Sequence, residues 1–87
     1  SMTTFVAFSR ESLETLHAVL CAAIDTFISD LERLDPHGKD VDKVSELLSD
    51  VHIIHNQVYV HCRGLSIAAG ETYPDDWCAN PPAYGVG

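Results

Sequence analysis

The stretch VHIIHNQVYVHC, residues 51–62, carries three histidines and a cysteine. Upstream, His17 and Cys21 stand four residues apart, which places them on one face of a helix. Histidine nitrogen and cysteine sulfur are the ordinary ligands of tetrahedral zinc. A cysteine beside a histidine is also the starting point of nucleophilic catalysis. Both chemistries set demands that can be checked against spacing. On one helix His55 and Cys62 are two turns apart, about 10.5 Å along the axis, too far to share one ion. A Cys–His nucleophile needs a third group to orient the base and a donor for the developing oxyanion. Neither is visible in the sequence. The reading is therefore that His17 and His55 are interior or interface histidines and Cys62 a small buried apolar residue, with His61 flanking them. No catalytic residue, metal ligand or cofactor is assigned, and no enzymatic activity is expected.

The elements that position these residues follow from periodicity. Residues 3–8, TTFVAF, read as an extended arm. Ser9 then offers an N-cap, Glu11 suits the first turn, and Phe8 and Leu13 have the spacing of a hydrophobic staple. Leu13, Leu16, Leu20, Ile24, Phe27, Leu31 and Leu34 recur at steps of three and four, which predicts a helix over 9–35. Pro36 and Gly38 interrupt it, and residues 36–40 read as a turn, with Asp40 as the next cap. A second helix is predicted over 41–69. Its inner row is Val44, Leu48, Val51, His55, Val58, Cys62, Leu65 and Ala69, and Gly70 is placed to end it. Residues 70–87 hold three of the four prolines and read as an irregular tail with Tyr73, Trp77 and Tyr84 as anchors. The fold class is thus all-α: one domain over 1–87, an antiparallel two-helix hairpin. The expected register sets Phe27 against Leu48, Ile24 against Val51, Leu20 against His55 and His17 against Val58.

A hairpin with one seam buries little, and domains of this size are marginal. A second seam is present in the sequence. Ile53, Val60 and Ile67 repeat every seven residues, with Gln57 and Gly64 between them, on the side of the helix away from the inner row. Ala18, Val19, Cys21, Ala22 and Ile28 widen the apolar surface of the first helix in the same way. A helix apolar on both sides is expected to be covered on both sides. The simplest cover is a second copy, giving a homodimeric four-helix bundle. His52, Asn56, Tyr59, Arg63 and Ser66 read as a polar flank between the seams. Tyr and Arg are frequent anchors of binding surfaces. The expected partner or dimer interface is therefore Ile53, Gln57, Val60, Gly64, Ile67, Tyr59 and Arg63.

Charge narrows the function classes. Thirteen acidic residues against five basic ones give a net charge of −8, which repels a phosphate backbone and argues against direct nucleic-acid binding. No uninterrupted apolar run long enough to span a membrane is seen, and no membrane partner or secretion signal is expected. Cys21, Cys62 and Cys78 are an odd number without CxxC spacing, which reads as reduced thiols in a cytoplasmic protein. The functional expectation is a small acidic helical protein that regulates or inhibits a protein partner by direct binding. Blocking the dimerisation of a transcriptional regulator, as an antiactivator does, is the most specific mechanism considered. One alternative is an acidic nucleic-acid mimic that uses Asp35, Asp40 and Asp42 to occupy a basic groove. Another is a metal-binding helical bundle that uses its histidines and cysteines.

Overall fold

Ser9 starts the first helix as expected: its backbone is extended, and its side-chain oxygen accepts a hydrogen bond from the Ser12 amide at 3.1 Å. The computed structural model describes residues 2–73. Among them are two helices, α1 (Arg10–Arg33) and α2 (Lys39–Ala68), packed against each other as an antiparallel hairpin, with no strand. Residues 2–8 form an exposed, non-helical arm in which Phe5, Val6 and Phe8 lie open. The expected tail is described only as far as Tyr73, and Trp77, Cys78 and Tyr84 lie outside the described residues.

The turn is built differently from the expectation. Helix α1 stops at Arg33, two residues early, with Leu34 already extended, as the approach to Pro36 favours. Asp35 organises the connection to α2. Its carboxylate accepts from the His37 amide at 3.0 Å, and its carbonyl accepts from the Gly38 amide at 2.9 Å. Gly38, not Asp40, is the N-cap of α2, and it gives no side-chain hydrogen bond. Asp40 and Asp42 sit in the first turn, where the exposed amides and helix dipole favour acids. At the other end, Gly70 adopts φ +73°, the left-handed conformation that glycine takes without penalty. The Gly70 amide donates to the Ile67 carbonyl and the Glu71 amide to the Ser66 carbonyl, the paired bonds of a Schellman stop.

The apolar core sits toward the turn. Cys21, Ile24 and Leu48 are buried, and Phe27, Ile28, Leu31 and Val51 pack around them. Phe27 with Leu48 and Ile24 with Val51 thus fall in one cluster, as the expected register required. Farther from the turn, the facing surface of α2 is wider than expected. Buried and half-buried positions are Leu48, Val51, His52, His55, Val58, Tyr59, Cys62 and Ser66, so the expected row is kept from Leu48 to Cys62, widened by His52 and Tyr59, and turned from Leu65 to Ser66 at its end. Leu65 and Ala69, expected inside, are exposed. The supposed polar flank therefore divides: His52 and Ser66 are buried, Tyr59 is half-buried, and only Asn56 and Arg63 are exposed.

That change has a physical cause. Buried polar side chains need polar partners, and the open end of the hairpin supplies them. Arg10, in the first turn of α1, donates to the Ser66 hydroxyl at 3.0 Å and pairs with Glu14 and Glu71. The Glu71 hydrogen bond is the main reason the Arg10 pKa is raised. One further expectation is corrected: by length and composition alone, α1 is apolar enough to cross a membrane. The mostly buried core helix of a soluble protein and a signal sequence pass the same test, and 17% of this stretch of α1 is buried in the fold.

Candidate functional site: a buried histidine–cysteine–tyrosine cluster

Helix α1 contributes His17 and Cys21 from consecutive turns, and α2 contributes His52, His55, Tyr59 and Cys62. Tyr73 reaches back from the segment after α2. The rings pack as a group. The His17 ring centroid lies 5.1 Å from that of His55, 5.2 Å from Tyr59 and 5.7 Å from Tyr73. His55 and Tyr59 are nearly parallel, 5° apart, while His52 meets His55 edge-on at 82°. His17, Cys21 and His55 are all buried. Cys21 Sγ lies 3.4 Å from His55 Nε2. The register has accordingly moved by one residue: Cys21, not Leu20, meets His55, and His17 meets Tyr59 and His55.

Hydrogen bonds hold the His17 and His55 rings in place. His55 Nδ1 is 3.1 Å from the side-chain oxygen of Asn56, an acceptor, so Nδ1 carries the proton. His17 Nδ1 is 2.7 Å from the Tyr73 hydroxyl. Desolvation is the main cause that pushes the Tyr73 pKa up to about 12, with the Cys62 contact adding to it.

The sulfurs differ in state. Cys62 is a free, buried thiol, whereas Cys21 is disulfide-bonded. The expectation of reduced thiols is corrected at Cys21, where the odd cysteine count gave no warning. A disulfide sulfur is not a nucleophile, because the thiolate is the reactive form. His55 and Cys62 do not come together as a ligand pair. The three side chains that do are His17, Cys21 and His55, whose ligand atoms all lie within 4.8 Å of one another.

Outside the cluster, the second seam lies where the heptad placed it. Ile53, Val60 and Ile67 are 56%, 66% and 61% exposed. Gln57, Gly64 and Arg63 are exposed beside them, and a side chain added at Gly64 would meet open space outside its own turn of helix. Gln57, Val60, His61, Gly64 and Leu65 line a shallow depression of about 350 Å³ on this face. Tyr59 is the exception among the expected interface residues, since its ring belongs to the interior cluster. Sequence reasoning missed His52 and Ser66 because polarity was read as exposure. Their spacing with Tyr59, seven residues each, was the available signal. Comparisons with protein-family models, with curated proteins and with solved structures find no match, so the functional reading rests on this geometry.

Proposed function

We propose that this chain is a small helical interaction module, and that the outer face of α2 is its contact surface. The observation that carries the reading is the exposed row Ile53, Val60 and Ile67 on a chain whose interior is thin. Burying one such aliphatic side chain contributes about 1.5–3 kcal/mol, so covering the row is a large gain for a hairpin of this size.

The first occupant of the face is a second copy of the chain. An antiparallel two-fold arrangement centred on Val60 sets Val60 against its own mate and Ile53 against Ile67. It also puts the two acidic turns at opposite ends of a four-helix bundle, whereas a parallel arrangement would bring like charges together. A regulatory role follows if a partner protein offers an apolar helix to the same face, in competition with self-association. Inhibition of a dimeric regulator is the form of that role we favour.

A crosslinking experiment tests the arrangement. In the Val60→Cys variant, the two introduced thiols of an antiparallel dimer face each other and oxidise to a covalent dimer. A Glu46→Cys variant, near the turn, stays monomeric under denaturing electrophoresis. Equal crosslinking at both positions, or at Glu46 alone, contradicts the antiparallel face. No crosslinking at either position contradicts association through α2.

A further inference from the structure

Among the described residues, two apolar surfaces lie uncovered toward the open end of the hairpin. One is the arm before α1. From Met2 to Ser9 every residue is exposed, and Phe5, at 95%, is the most exposed of the large apolar side chains. The other is the depression on α2 lined by Gln57, Val60, His61, Gly64 and Leu65, about 350 Å³ in volume. Neither the arm nor the lining carries a carboxylate, lysine or arginine, so in a chain of net charge −8 the two match in polarity.

Area argues that they belong together. The row Ile53, Val60 and Ile67 offers three aliphatic side chains, each worth about 60–120 Å² of apolar surface. That is roughly 180–360 Å² per copy, against about 800 Å² per partner in a standard interface. A second copy seated on the row alone leaves the interface small. An aromatic side chain buries about 150–250 Å², so Phe5 and Phe8 of the arm can supply about as much again.

Reach agrees. Arg10 is tied to Ser66 at 3.0 Å, so the arm leaves the hairpin beside the end of α2. In an antiparallel pair centred on Val60, residue 66 of one copy stands level with residue 54 of the other. From that level, His61 and Gly64 of the other copy lie about 10 and 15 Å along the axis. Phe5 precedes Arg10 by five residues, a span of up to ~17 Å in extended chain. A side chain added at Gly64 would meet open space outside its own turn of helix, so its absence leaves room for a ring.

We propose that paired copies exchange arms, each placing its Phe5 ring in the depression over His61 and Gly64 of the other. The exchange rests on the antiparallel dimer proposed above and specifies what completes its interface.

The test uses the full chain with photoreactive p-benzoylphenylalanine in place of Phe5. Heavy-isotope and ordinary chains are mixed in equal amounts, illuminated and digested, and the conjugates are read by mass spectrometry. The expected product joins position 5 of one chain to residues 57–65 of another, in conjugates of mixed isotope. Sedimentation velocity reads the dimer in parallel. Phe5→Ser is expected to weaken it at least ~10-fold, since two rings per dimer return to water, while circular dichroism still shows both helices. Conjugates of single isotope alone place the arm on its own chain and overturn the exchange. A dimer without conjugates in 57–65, or one that Phe5→Ser leaves as tight as the wild type, also overturns it but leaves the α2 face standing. A wild type that stays monomeric overturns the dimer and the exchange together.

Discussion

The two ends of the hairpin distribute polarity in opposite ways. Toward the turn, Ile24, Phe27, Leu31, Leu48 and Val51 are packed inside, while Glu32, Asp35, Asp40, Asp42 and Glu46 are exposed. Toward the open end, His17, His52, His55 and Ser66 are buried, while Ile53, Val60 and Ile67 are exposed. The same two helices thus run from an ordinary core to an inverted one. Apolar burial alone suffices at the turn. The open end is specified by hydrogen bonds and ring packing, and its apolar row lies on the outside. Polar groups inside a protein are costly unless satisfied, and when satisfied they fix one geometry. The difference therefore separates a half held by apolar burial from a half held by polar contacts that carries the exposed apolar row.

The largest effect that could break this comparison is at the turn half. Ile24→Ala should destabilise the hairpin by about 2–5 kcal/mol, the usual loss for a fully buried large aliphatic, seen as a lowered urea midpoint by circular dichroism. A loss below about 1 kcal/mol would mean that the apolar cluster is not the stabilising half. Next is the outer face. Val60→Asp should weaken self-association at least ~100-fold, since each dimer loses two buried valines at about 1.5 kcal/mol or more apiece. Far-ultraviolet circular dichroism at equal concentration should still show both helices.

Smaller effects sharpen the picture of the open end. Gly70→Ala places a side chain at φ +73°, so it should cost about 1–2 kcal/mol although there is open space around it. Ser66→Ala removes the acceptor of Arg10 and should cost about 1 kcal/mol, with increased amide exchange in the first turn of α1. The smallest is a pH effect at Tyr73. Its folded pKa is raised from 10.0 to about 12, so its contribution is complete below the unfolded pKa and is lost as pH rises through the folded value. An ultraviolet titration should show one tyrosine ionising late, and stability falling over that alkaline window. Tyr73→Phe should remove the late phase.

How far the sequence disclosed this molecule depended on which force governs each part. Helix content, the hairpin turn, the Ser9 cap and the Gly70 stop follow from local rules, and all are present. The core around Ile24 and Leu48 follows from apolar periodicity. The heptad of Ile53, Val60 and Ile67 was legible for the same reason. The open end was less so. His52 and Ser66 look like surface residues until Arg10 and Tyr73, more than fifty residues away in one case, are brought beside their end of α2. Cys21 was legible as a helix neighbour of His17, but its place opposite His55, one residue from the expected register, depends on how the two helices pack. Local pattern carries no information about that.

Sedimentation velocity across the micromolar range, on the wild type and on Val60→Asp, tests the central claim most directly. The expected result is a concentration-dependent dimer for the wild type and a helical monomer for the variant. A wild type that stays monomeric throughout, or a variant that associates as well as the wild type, would contradict it.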